Sequence, residues 1–135
     1  MLHLASDTTS RIISKSISKD GGRTSYRGLV HIAPGATGAK SSVVCDALLL
    51  DDTSRSDTYP TMRVKESSAQ VEHEASVEKL SAEKLFYLES RGIKKTDAEG
   101  LLVNGFLEPV VKEIPLEYSI ELTRLMQMNM EGSVG

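Results

Sequence analysis

Cys45 is the only cysteine in the 135-residue chain, and the compact ligand-type run that follows it is Glu72-His73-Glu74. A thiolate accepts sulfur or binds soft iron, an imidazole supplies a nitrogen ligand or a proton relay, and a carboxylate supplies an exchangeable oxygen ligand or a base. One thiol cannot close a four-thiolate cage, so an iron–sulfur site built on Cys45 must borrow its remaining ligands. Such a site suits assembly better than storage. The alternative for Cys45 is a small core side chain, because free cysteine is among the most buried residue types. The alternative for Glu72-His73-Glu74 is a solvated strand end. In an extended segment the two glutamates share one side and His73 takes the other, so all three meet one ion only where the strand ends or bulges.

Other residues of chemical type are read as structural. His3 and His31 have no thiol or acidic neighbour beside them in the sequence. Asp51, Asp52 and Asp57 lie in a turn-rich stretch without the glycine and final glutamate of an EF-hand, and are read as loop solvation. Walker loop, dinucleotide fingerprint, GxSxG elbow and HExxH helix are all missing from the sequence. Gly21-Gly22 and Gly35-x-x-Gly38 are too short for a phosphate cradle. An enzyme acting by itself is therefore disfavoured, and a small metal-dependent enzyme has only the Glu-His-Glu run in its support.

The elements that must position these residues change character along the chain. From Ser10 to Glu74 the text is rich in Ser, Thr, Val and Ile and is punctuated by Asp20-Gly21-Gly22, Pro34-Gly35, Gly38 and Asp51-Asp52, which predicts short strands. These are expected at Arg11 to Ser18, Ser25 to Ala33, Ser41 to Leu50, Thr61 to Lys65 and Ala69 to His73. The spacing of the first three leaves no room for crossover helices and fits either a hairpin stack or the rungs of a coiled sheet. In the cysteine strand, Val43, Cys45, Ala47 and Leu49 take one face while Val44, Leu48 and Leu50 take the other with Asp46, so both faces are expected to be covered.

Beyond Ser76 the period becomes helical. Ser81 is placed to cap a helix through Leu85, Phe86 and Leu88 to Gly92, the expected C-terminal glycine. Thr96-Asp97-Ala98-Glu99 has the spacing of a capping box ahead of a helix from Asp97 to about Asn104. Phe106 to Glu113 continues as helix, Pro115 stops or restarts it, and a last helix carries Leu116, Ile120, Leu125 and Met130.

With 39% hydrophobic residues, no Trp, two Phe and four Tyr, the chain has material for one moderate aliphatic core or two small subdomains. Its net charge of −3, with Lys and Arg scattered along the sequence, argues against a nucleic-acid footprint. Residues 1–76 hold nine basic and nine acidic side chains and residues 77–135 hold seven and ten, which makes the second part the better match for a basic surface. No apolar stretch approaches a membrane span, and Met1-Leu2-His3-Leu4 lacks the character of a signal peptide. The expectation is a soluble, cytoplasmic chain, with an organelle such as a plastid as the alternative setting.

Ser10-Arg-Ile-Ile-Ser-Lys-Ser-Ile-Ser18, Tyr26-Arg-Gly-Leu-Val30, Cys45-Asp46 with Leu48-Leu49, Val71-Glu-His-Glu-Ala-Ser76, Leu85-Phe-Tyr-Leu88 with Arg91-Gly92, Val103-Asn-Gly-Phe106 and Glu131-Gly-Ser-Val-Gly135 together resemble the SufB family, in unbroken order over nearly the whole chain. That family provides the scaffold subunit of the SUF iron–sulfur cluster assembly machinery, and the match is to its carboxy-terminal part. The paralogous SufD family shares the helical signature but tends to carry a Ser-His-Gly type of run where this chain has Glu72-His73-Glu74.

The resemblance implies a mainly β fold with a C-terminal α part: right-handed parallel β-helix rungs over residues 1–76, then a small helical domain over residues 77–135 that binds the ATPase SufC. It implies Cys45 as acceptor of sulfur or cluster, Glu74 as its companion metal ligand, and Glu72 and His73 nearby. It places Leu85, Phe86, Arg91, Asn104 and Phe106 in the helical partner-binding domain. The implied cofactor is a transient iron–sulfur cluster, and the implied partners are SufC, SufD or a second SufB, and sulfur-donor proteins. A competing expectation is a non-catalytic interaction module that dimerises through its strands and docks an ATPase.

Overall fold

The computed structural model describes residues 1–130; Glu131-Gly-Ser-Val-Gly135 lies outside the described residues. Six strands precede three helices: β1 (Leu2–His3), β2 (Thr9–Ser18), β3 (Arg23–Ile32), β4 (Lys40–Leu49), β5 (Arg55–Val64), β6 (Gln70–Lys79), α1 (Ala82–Ser90), α2 (Lys95–Val111) and α3 (Leu116–Met130). The chain divides into two compact units after Glu78.

Successive strands alternate between two sheets, ordered β1-β3-β5 and β2-β4-β6. β2 and β4 pair parallel and without a break from Thr9↔Lys40 to Ser18↔Leu49, and β3 and β5 do the same from Arg23↔Arg55 to Ile32↔Val64. β1 joins β3 through Leu2↔His31 and His3↔Ile32. Parallel neighbours need a crossover of about a dozen residues or more. Here each crossover is itself a strand of the other sheet. The hairpin-stack option is thereby excluded, and the fold is a pair of parallel sheets followed by helices.

The last two strands are longer than their sequence suggests, at 10 residues each. Asp57 and Pro60 in β5 and the Glu, Ala and Lys residues of β6 dilute the local β signal, and pairing with the neighbouring strand carries the extended conformation past them. Pro60 lies in β5, at the edge of its sheet, where a missing N–H is tolerated.

Between the sheets, Val30 and Ile32 of β3 meet Val43 and Cys45 of β4, with Ala36 and Ala39 from the intervening turn; Ile12, Tyr26, Met62 and Val71 pack against this cluster. The interior is aliphatic as expected, apart from Tyr26 and a polar end. There the buried His3 ring bonds the Thr8 hydroxyl through Nδ1 (2.7 Å) and the Ser10 hydroxyl through Nε2 (2.8 Å), and Ser10 donates to Ser41 at 2.9 Å. Asp51 holds its turn by accepting the backbone N–H groups of Thr53 and Ser54, each at 2.8 Å, and the hydroxyls of the same residues keep its carboxyl well below the ordinary range.

In the helical unit, Ser81 caps α1 by accepting the Lys84 N–H at 3.2 Å, and Gly92 follows the helix with φ +85°. The capping box at Thr96 does not form. α2 starts earlier, with Lys94 at its N-cap and no side-chain cap, and the Thr96 hydroxyl turns to Asp97 instead. α2 runs unbroken through Gly105 and Pro109 to Val111, joining the segment expected up to about Asn104 to its expected continuation from Phe106. Ala98 and Val103 are its only buried residues. Among the described residues no helix is long and apolar enough to cross a membrane.

Deleting volume from the inter-sheet cluster tests this arrangement. Ile32→Ala, at a fully buried site, is expected to cost about 2–5 kcal/mol in urea unfolding followed by circular dichroism. Ile13→Ala, at a site 41% exposed, should cost less than about 1 kcal/mol. Equal losses would refute the assignment of faces.

Candidate functional site

Strand β4 carries the sole thiol, and pleat alternation decides what surrounds it. Val43, Cys45 and Ala47 are buried while Ser42, Val44 and Asp46 are half-buried, so Cys45 faces the inter-sheet core. The residue only 4% exposed at this position is a thiol within aliphatic packing. On β2 its in-register neighbour is Ser14, and from β3 Tyr26 packs on the same cluster. Burial pushes the Cys45 thiol upward, and the negative charge of Asp46 pushes it in the same direction. The chain therefore holds a protonated, poorly nucleophilic cysteine at neutral pH. Burial also raises the Tyr26 phenol, with the Cys45 charge as the second cause.

The other face of β4 carries a charge ladder across three strands. Lys15 of β2 donates to Asp46 Oδ2 at 3.0 Å, and Ser76 of β6 donates to Asp46 Oδ1 at 2.6 Å. The Ser76 hydrogen bond is the largest cause of a lowered Asp46 carboxyl; partial burial opposes it, and Lys15 adds to the lowering.

This ladder also fixes which way β6 faces. Because Ser76 reaches Asp46, Glu72 and Glu74 share that outer side by alternation, whereas His73 shares the side of Val71, which packs on the core. β6 continues without interruption from Gln70 to Lys79, so neither a strand end nor a bulge gathers the three residues. The expected Cys45–Glu74 ligand pair consequently does not share a face in this structure, and Glu72 stays with Glu74. His73 is the member of the run placed on the cysteine's side. Among the described residues no group of three or more His, Cys, Asp and Glu side chains converges as a metal site.

The helical candidates separate into surface and interior. Phe86 is 72% exposed, Arg91 stacks over Tyr87 at 5.2 Å, and Leu85 is half-buried. Asn104 lines a groove with Thr96, Leu101 and Met126, and Phe106 is half-buried on α2. Leu116, Tyr118 and Ile120 of α3 are exposed as well.

Three side chains near the thiol escape a reading by residue type: Ser14, Tyr26 and Lys15. The offset that pairs Ser14 with Cys45 is the same throughout β2 and β4, so it becomes visible only once parallel register is known. For Tyr26 a signal was present in Tyr26-x-Gly28, since a Cβ at Gly28 would collide with the Tyr26 ring.

Comparison with known proteins places these features in context. Residues 1–106 match the family described as SUF system FeS cluster assembly, SufBD core domain. Along its whole length the chain is 56% identical to an iron–sulfur cluster assembly SufBD family protein of Mycobacterium leprae, covering 16% of that protein. It is 50% identical to the iron–sulfur cluster assembly protein SufB of Bacillus subtilis and 52% identical to a SufBD family protein of Staphylococcus saprophyticus, covering 29% of each. The chain thus spans less than a third of the length of these curated relatives.

Two measurements check the electrostatics. Iodoacetamide at pH 8 should alkylate Cys45 at least about tenfold more slowly in the native chain than in urea, as read by mass spectrometry. Asp46 has a lowered folded-state pKa, so the stability it contributes is present above its unfolded value near pH 4 and is lost as pH falls through the lower folded value. Asp46→Asn should therefore flatten the acid limb of a stability–pH curve; an unchanged limb would contradict the ladder.

Proposed function

This chain belongs to the SufBD family of the SUF iron–sulfur cluster assembly system, and on that footing we propose that it is the carboxy-terminal part of a SufB-type scaffold. In this reading the alternating parallel strands are the last rungs of a right-handed β-helix. Cys45 receives sulfur or iron delivered by sulfur-donor proteins, at a surface completed by a SufD-type chain or a second SufB-type chain in the cytoplasm. Movement of a SufC-type ATPase on the helical unit opens the site, Glu74 supplies an exchangeable companion ligand to the nascent cluster, which is cargo rather than a resident group, and Glu72 and His73 tune the site or relay protons.

The observation that carries this reading is the position of the thiol, one strand in from the sheet edge. Cys45 lies on β4, and the only strand between it and that edge is β6, which bears the Glu-His-Glu run. In this reading a shift of β6, whose Val71 packs on the cluster that holds the sulfur, opens the flank of β4 and frees the glutamates to approach it. The donor set fits transfer: one thiolate, one imidazole and carboxylates bind iron without the permanence of four sulfurs. The exposed Phe86, Leu116 and Tyr118, set against two buried residues among those described in the helical unit, support a docking role for the helices.

A second reading, that of a pure interaction module, draws on the burial of Cys45, which by itself suits a core side chain. Anaerobic reconstitution of the full assembly with iron and sulfide separates the two. The scaffold reading expects Cys45→Ser to retain partner binding in size-exclusion chromatography but to lose most of the visible absorption of the cluster. Full absorption in that variant would leave the interaction module standing.

A further inference from the structure

Lys and Arg are dispersed in the sequence, yet the parallel register gathers part of them on one surface. On the outward face of β3 and β5, Arg23 lies opposite Arg55, Arg27 opposite Tyr59, and His31 opposite Arg63. The inward alternation of Val30, Ile32 and Met62 confirms the facing. Four arginines share this face with a single carboxylate, Asp57, which is held by Arg23. Arg55 and Arg63 have no ion pair among the described residues. Like charges directly opposite one another in a sheet are destabilising. This chain, whose net charge is −3, nevertheless places two such arginines in register.

The middle of the face is less polar. Arg27 lies over the Tyr59 ring, 5.3 Å from its centroid, and a shallow depression is lined by Arg27, Gly28, Leu29, Tyr59 and Thr61. Leu29 is 40% and Tyr59 47% exposed. An aromatic and aliphatic centre flanked by arginine is the composition of a protein interface rather than of a groove that tracks nucleic-acid backbone. From Arg23 to His31 the face extends about 26 Å at roughly 3.3 Å per residue, the length of an extended peptide of about nine residues.

We propose that the outer face of β3 and β5 docks an acidic segment of another protein, with carboxylates at the Arg23/Arg55 and His31/Arg63 ends and an apolar side chain against Leu29 and Tyr59. Its guanidinium groups bind carboxylates in planar, two-point fashion, and the central Tyr59 gives the segment a fixed register. This docking face is independent of the cysteine site.

Fluorescence anisotropy with a labelled peptide of about ten residues, Glu-rich with a central Leu, provides the test on the full chain. The acidic peptide should bind and its Glu-to-Gln counterpart should not. R27Q/R63Q should weaken binding at least about tenfold, while K84Q/K94Q, which removes the same charge from the helical unit, should leave it unchanged. Circular dichroism establishes that both variants are folded. Absence of binding, equal weakening by both variants, or tighter binding of a DNA duplex than of the peptide would each overturn the proposal, the last by assigning the face to nucleic acid.

Discussion

The in-register parallel pairing of β4 is the constraint on which the rest of the unit depends. Alternation along a strand is strict, so once Val43 is buried Cys45 must be buried and Asp46 must face outward. The Lys15–Asp46–Ser76 ladder then carries the same decision into β2 and β6. A slip of one residue in β6 would turn Val71 out of the core and Glu72 into it, which is costly because an ionised side chain would lose its water. The separation of Cys45 from Glu74 thus follows from the same packing that makes the sheet stable.

This packing also sets the chemical state of the sulfur. Desolvation and the Asp46 carboxylate both favour the thiol, and neither acts on an exposed cysteine to the same degree. A buried strand position thus both covers the sulfur and disfavours its thiolate form. The helical unit points to a similar dependence on neighbours. Among its described residues only Ala98 and Val103 are buried and Phe86 lies largely in solvent, so the apolar area the unit is seen to bury by itself is small.

Much of this was legible from residue order. The two faces of the cysteine strand, the Ser81 cap and the Gly92 terminus follow from local pattern, and each is local in the structure as well, whereas the passage from strand to helix comes after Lys79 rather than Ser76. What local pattern could not supply was long-range register. It left a hairpin stack as an option, gave β5 and β6 too short, and read the arginines as scattered, because Arg23 and Arg55 become neighbours only through pairing across a whole crossover. The Thr96 capping box failed for a different reason. α2 begins ahead of it at Lys95, so the threonine lies inside the first turn and its hydroxyl has no cap to make. At the site, residue type singled out Cys45 and the Glu-His-Glu run, but the side on which each points depended on β6 remaining straight.

The proline in β5 has a bearing on how such a molecule extends. Gln70 of β6 donates inward to Ala39, so by alternation the outward amides of β6 run from Val71 to Lys79 without a gap, whereas the outward set of β5 is interrupted at Pro60. The two rims at this end are therefore unequal templates: a newcomer strand zips fully onto one sheet and meets a missing tooth on the other.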